Sequence, residues 1–138
     1  MDLSAHHYGV TVSDLDRAVA FYRDTLGLDV LDRFSVGGNA FATGVGIEGA
    51  AAEFAHLDAD GTRLELVSYD PAGSDQTGGG VNRPGAKHLG FEVTDIDAFH
   101  RDLSDDVSTV SEPQTTESGT TILFLRDPEG NLVEILEP

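Results

Sequence analysis

"HHYGVTVSDLD", residues His6 to Asp16, and "KHLGFEVTDID", residues Lys87 to Asp97, are two copies of one phrase. From His7 and from His88 the order is the same: histidine, bulky, Gly, bulky, one variable position, Val, Ser or Thr, Asp, apolar, Asp. A repeat of this kind decides the fold before any other signal, because each copy marks one supersecondary unit. In the first copy, strand alternation puts His6, Tyr8, Val10 and Val12 on one face of Ala5–Val12, with His7, Gly9 and Thr11 on the other. Ser13 is set to cap the helix that follows, with Asp16 three residues on as a short capping box. Leu15, Ala18, Val19, Tyr22 and Leu26 keep helical spacing, and Gly27 ends the helix. Strands are expected near Leu28–Val36, Ala52–Leu57 and Thr62–Tyr69, the last two joined by the turn "DADG". The glycine-rich stretch Gly37–Gly49 reads as a loop.

The second copy predicts the same order. Lys87–Val93 is a strand with Leu89, Phe91 and Val93 opposite His88, Gly90 and Glu92. Thr94 is expected to cap a helix whose apolar positions are Ile96, Phe99 and Leu103. Strands follow near Val107–Ser111, Thr120–Leu125 and Leu132–Leu136, the last hairpin turned by "DPEG". Between the copies lies "PAGSDQTGGGVNRPG", Pro71–Gly85, which has no GK[ST] and no helix behind its glycines; it reads as a linker and not a phosphate cradle. The prediction is an α+β fold of two tandem βαβββ modules in one domain over residues 1–138. Module one covers about 1–70, the linker about 71–85, and module two about 86–138.

The chain holds 25 acidic residues against 8 basic ones, a formal charge of −17. Such a field repels nucleic acid and anionic membranes, so neither is an expected partner. The acids are scattered between periodic apolar segments, which argues for a folded domain and against a disordered acidic tail. Lys87 is the only lysine, a pattern suited to solubility in concentrated salt. No cysteine is present, which excludes disulfides, zinc–cysteine sites and thiol nucleophiles. No basic-then-apolar secretion signal and no membrane-length apolar run is present, so a cytoplasmic location is expected.

The chemistry-bearing residues repeat with the modules. "TRLELVSY" and "NLVEILEP" each place a lone carboxylate, Glu65 or Glu134, inside an otherwise apolar strand. A carboxylate taken out of water needs a partner. His7 and His88 each share a strand face with a glycine, a poor face for packing a helix and a good one for lining a cavity. If the modules pair about a pseudo-twofold axis, His7, Glu65, His88 and Glu134 converge. Two neutral imidazoles and two carboxylates suit one divalent ion, Ni, Co, Zn, Mn or Fe, with positions left for water.

"HHYGVTVSDLDRAVAFYRDTLGLDV", "LELVSY", "HLGFEVTDID" and "FLRDPEGNLVEILEP" together resemble the vicinal oxygen chelate superfamily: glyoxalase I, methylmalonyl-CoA epimerase, extradiol dioxygenases, fosfomycin-resistance enzymes and bleomycin-binding proteins. The resemblance spans nearly the whole chain. It implies paired modules curled into a cup around a divalent metal, with His7, Glu65, His88 and Glu134 as ligands. A complete His-Glu-His-Glu set is similar to bacterial glyoxalase I, which implies a lyase or isomerase. Such an enzyme removes a proton beside a carbonyl and passes through an enediolate or enolate, with Glu134 or Glu65 as the catalytic base. The substrate implied is a small oxo or hydroxy carbonyl compound or its thiol adduct. Thr11 stands where bacterial glyoxalase I carries an arginine that holds glutathione. The superfamily's other activities give the alternatives: a dioxygenase or thiol transferase, which needs only His7, His88 and Glu134, or a non-enzymatic protein that binds an antibiotic or metabolite. The resemblance also implies a homodimer.

The remaining candidates have structural readings. His6, on the apolar face beside Tyr8, is expected to be a packed or rim residue, His100 to pack inward from the second helix, and His56 to sit at a sheet edge. Arg33, Arg83 and Lys87 are surface cations, and Phe41, Phe91 and Phe124 are core or cavity-wall residues.

Overall fold

The structure, a computed structural model, describes residues 2–138. It divides into two compact units, one ending at Asp75 and the other running from Gln76 to Pro138. Each unit carries a four-stranded mixed sheet, and the two sheets are the tandem βαβββ modules that the repeat predicts.

In the first unit, β1 (His7–Thr11) leads into α1 (Leu15–Ala20), a π-helical turn (Phe21–Thr25), β2 (Val30–Val36), α2 (Asn39–Val45), β3 (Ala51–Asp58) and β4 (Arg63–Asp70). The strand order is β1-β4-β3-β2, with β1 parallel to β4 and the others antiparallel. One sheet face packs on α1. Leu15, Ala18, Val19 and Tyr22 of the helix are buried, as are Leu57, Leu64 and Leu66 of the strands. Each leucine so buried contributes about 1.5–3 kcal/mol, so this face supplies the unit's main stabilisation. The helix is wound into a π turn at its end, where the Leu26 N–H donates to the Phe21 carbonyl. Gly27, at φ +77°, then closes it, and the Leu28 N–H returns to the Tyr22 carbonyl.

The second unit contains β5 (His88–Glu92), α3 (Ile96–Asp102), β6 (Gln114–Thr115), β7 (Thr121–Arg126) and β8 (Leu132–Glu137), in the order β5-β8-β7-β6. Its buried side chains are Ile96 of α3 with Leu123, Leu125, Leu132, Val133 and Ile135 of the sheet. The β7–β8 turn is built on Asp127. One carboxylate oxygen accepts from the Glu129 and Asn131 amides, and the other accepts from the Asn131 side chain, all at 2.9 Å.

Four local expectations are corrected. Both helix caps fall one residue later than Ser13 and Thr94. The Asp14 carboxylate accepts from the Arg17 amide at 3.1 Å, and Asp95 accepts from the Ala98 amide at 2.9 Å. Aspartate adds a full negative charge to the cap's hydrogen bond at the positive end of the helix, which favours it over the neighbouring hydroxyl. Gly37–Gly49 is not all loop. Gly38 and Gly46, both at positive φ, bracket α2, and Phe41 anchors it on Phe54 and Tyr69. Val107–Ser111 forms no strand: only Thr109 bridges Leu125, and the ladder partner of β7 is Gln114–Thr115, beyond Pro113. Finally, His56 lies on β3, between β4 and β2, and not at a sheet edge.

Among the described residues, no helix is long and apolar enough to cross a membrane.

Candidate metal centre

Register places the candidate ligands. In the first unit β1 runs parallel to β4, with His7 opposite Arg63 and Gly9 opposite Glu65. In the second, β5 runs parallel to β8, with His88 opposite Leu132 and Gly90 opposite Glu134. Each histidine is therefore offset by two residues from its glutamate, on the same sheet face. His7 Nε2 lies 3.6 Å from Glu65 Oε1, and His88 Nε2 lies 3.4 Å from Glu134 Oε1. The side-chain exposures match as well, 39% and 14% for the first pair against 38% and 18% for the second. Two His–Glu pairs of closely similar geometry thus stand on the sheet faces opposite the helices.

The glycines leave room beside the carboxylates on this face. A Cβ added at Gly9 would lie 3.8 Å from Glu65 Oε1 and 3.9 Å from His7 Cδ2. A Cβ added at Gly90 would lie 3.8 Å from Glu134 Oε1. In each copy the missing side chain leaves the upper edge of the carboxylate open.

The donor chemistry fits a divalent ion. Each unit offers one exposed imidazole nitrogen and one largely covered carboxylate oxygen, at a separation too long for a direct hydrogen bond. A cation between them would satisfy the nitrogen lone pair and the carboxylate charge together. Within each unit the described residues supply this pair and no group of three or more ligating side chains.

Around this common geometry the half-sites differ. In the first unit His56 is opposite Glu65 across the β3–β4 ladder. It is 6% exposed, and its Nε2 lies 2.7 Å from Glu65 Oε2. Arg63 Nη1 lies 3.3 Å from His56 Nδ1. The His7 ring stacks over that of His56, with centroids 6.0 Å apart, and Phe34 meets it edge-on at 5.2 Å. His6 Nδ1 and His7 Nδ1 are 2.8 Å apart, so one of them carries the shared proton. His6 is exposed and bound to His7, where the sequence predicted a packed or rim residue. In the second unit Phe124 occupies the place of His56, opposite Glu134, and its ring meets His88 edge-on at 5.1 Å. The ion-pair distance of Glu134 is to His88, and the residue opposite it across the ladder is apolar.

His56 is the residue that sequence reasoning missed. The signal was available in the turn: counting outward from "DADG" pairs Asp58 with Arg63 and therefore His56 with Glu65. Away from Glu65, the same sheet face becomes apolar. Ala52, Phe54 and Val67 are buried there, with Val36, Phe41 and Tyr69 packed on them. Phe124 lies on the face that carries His88 and Glu134, whereas Phe91 pairs with Ile135 on the helix side. Arg33 is tied to Asp16 at 2.8 Å, Arg83 to the Gln76 carbonyl and Lys87 to the Gly85 carbonyl. Burial pushes the Tyr8 phenol up from its ordinary value, on the face of β1 away from the histidine.

Comparison with known proteins gives a consistent result. The sequence profile of the family described as the Glyoxalase/Bleomycin resistance protein/Dioxygenase superfamily matches residues 4–135. A glyoxalase family protein from Bacillus cereus is 27% identical, with a TM-score of 0.87 over 99% of this chain and 95% of that one. The trypanothione-dependent glyoxalase I of Leishmania major is 23% identical, with a TM-score of 0.65 over 99% of this chain and 87% of its own. A lactoylglutathione lyase from Agrobacterium tumefaciens is 21% identical, with a TM-score of 0.66 over 97% and 92% of the two chains. These last two likenesses are likenesses of fold. No curated protein matches the sequence.

Proposed function

Because this chain belongs to the Glyoxalase/Bleomycin resistance protein/Dioxygenase superfamily, we propose that it is a divalent-metal-dependent lyase or isomerase of the glyoxalase I type. It acts through an enediolate or enolate on a small oxo or hydroxy carbonyl compound or its thiol adduct. The observation that carries this reading is the duplication: two His–Glu pairs of equal spacing, 3.6 and 3.4 Å, each beside a glycine. Evolution of a fold alone does not call for a second partly buried carboxylate at the equivalent register, whereas a four-ligand set does.

His7, Glu65, His88 and Glu134 would hold the ion. When bound, it would supply positive charge to neighbouring oxygens of the substrate and stabilise the negative charge that develops as a proton leaves the adjacent carbon. The chain's own residues divide the remaining work unequally. Glu65 is tied through Oε2 to His56, which suits a fixed ligand. Glu134 lacks that tie and has an oxygen free to accept a proton and return it, which makes it the favoured base. A complete second glutamate distinguishes this reading from the dioxygenase and thiol-transferase alternatives, which leave Glu65 without a task.

The test begins with metal. Protein purified in molar salt should contain about one divalent transition ion per chain by plasma mass spectrometry, and Glu65→Gln should lower the occupancy. Screening then starts from α-ketoaldehyde–thiol adducts and epimerisable acyl compounds. Glu134→Gln should lower kcat by roughly 10²–10⁴-fold, the usual worth of a general base. Wild-type protein that takes up no ion after dialysis against nickel, cobalt, zinc, manganese or iron would sink the proposal.

A further inference from the structure

The two half-sites share their ligands but not their surroundings, and the difference is concentrated on one residue. His56 and Phe124 occupy equivalent places, each directly opposite the glutamate of its unit. The phenyl ring at the second place shows that the fold accepts an apolar ring there. A buried imidazole is costlier than a phenyl unless its nitrogens are bonded, so its presence at the first place calls for another cause.

Its bonding supplies one. A guanidinium can only donate, so with Arg63 Nη1 3.3 Å away, His56 Nδ1 must be the acceptor. The ring proton then sits on Nε2, which donates to Glu65 Oε2 at 2.7 Å. Phe34 and the His7 ring hold the imidazole plane from two sides. The bond occupies one carboxylate oxygen and leaves the other, Oε1, directed at His7. Leu132 stands where Arg63 does, so the second unit lacks both donors of this relay.

Resting on the metal reading above, we infer that His56, fixed in its Nε2–H form by Arg63, is a positioning residue that presents Glu65 to the ion through Oε1 alone. Glu65 is thereby held to one-oxygen coordination and kept from swinging off as a proton acceptor. The chain thus carries one braced half-site and one unbraced half-site, and the asymmetry between two otherwise equal glutamates is written by the pairs His56/Phe124 and Arg63/Leu132. Partners that orient a ligating group in this way are worth about 10–100-fold in metal affinity.

Two readouts on the full chain test this. In metal-free protein with 15N-labelled histidine, two-bond nitrogen–proton correlations should show the His56 ring proton on Nε2 and Nδ1 as the acceptor. Arg63→Leu, which copies the second unit, should raise the share protonated on Nδ1. In cobalt titrations followed by calorimetry and visible absorption, His56→Phe should weaken affinity about 10–100-fold and change the ligand-field bands. His56→Gln, which keeps a donor in place, should recover most of the loss. A His56 ring protonated on Nδ1 in the wild type overturns the inference. So does a folded His56→Phe protein that binds cobalt as tightly as wild type with the same spectrum. Wild-type protein that takes up no cobalt sinks the metal reading and this inference together, so the two failures are distinguishable.

Discussion

At the scale of single residues, Gly9 and Gly90 separate function from folding more sharply than the ligands do. Neither has a positive φ, so no backbone conformation there demands glycine. An added methyl meets the nearest carboxylate oxygen at 3.8 Å, ordinary contact and not a clash. Replacing glycine by alanine in an unstrained strand also removes chain entropy from the unfolded state, a gain of about 0.4–1 kcal/mol. Gly9→Ala and Gly90→Ala should therefore leave the melting temperature level or slightly higher. The methyl, however, covers the open edge of Glu65 or Glu134, and each variant should bind cobalt more weakly than wild type. Thermal melts and titrations on the same samples check both halves; a variant that loses stability while keeping its affinity would assign the glycine to the fold. Strand alternation made these faces legible in the sequence, since His7 with Gly9 and His88 with Gly90 fall opposite the apolar side. The partner of Glu65 was hidden, because a histidine judged alone beside a turn carries no mark of the strand that will lie against it.

At the scale of elements, the repeat told most of the fold, and the exceptions have local causes. The longer strands were readable because apolar and polar side chains alternate along them, and β3, β4, β7 and β8 carry buried residues. Residues 107–111 carry apolar and polar side chains in a strand-like pattern, yet their hydrogen bonds to β7 amount to Val110 with Phe124 and Arg126 with Ser108, and no ladder forms. The helix α2 was obscured by its bracketing glycines, and only its contact through Phe41 with Phe54 and Tyr69 explains why it is held. The caps shift by one residue because the amides of the third helical residues, Arg17 and Ala98, are reached from Asp14 and Asp95. Alanine at Asp14 or Asp95 should cost about 1 kcal/mol each by urea unfolding. Thr94→Ala should fall within about 0.5 kcal/mol of wild type, as for surface positions. The reverse order of effects would restore the hydroxyl as the cap.

At the scale of the whole molecule, charge outweighs any single contact. With 25 acidic and 8 basic residues, most carboxylates have no cation to pair with. Two of the pairs that do form are exposed. Arg23 grips Asp24 at 2.7 Å and, through that hydrogen bond, holds its carboxyl below the usual range; Arg33 holds Asp16 at 2.8 Å. Solvent-exposed pairs of this kind contribute little, too little to offset the repulsion among the rest. Salt removes that repulsion from the compact state more than from the expanded one, since screening shortens from about 10 Å at 0.1 M to about 3 Å at 1 M. The melting temperature should therefore rise with potassium chloride between 0.1 and 2 M, by more than about 5 °C if roughly 1–2 kcal/mol is relieved. Chloride is the salt of choice because sulfate would also strengthen apolar burial. The control is a charge-reduced chain, with glutamine at the exposed Glu48, Glu112 and Glu117. It should melt higher than wild type at 0.1 M and gain less from added salt. If the two chains instead rise in parallel, the salt acts through water and apolar surface, and the surplus of acid serves solubility without limiting stability.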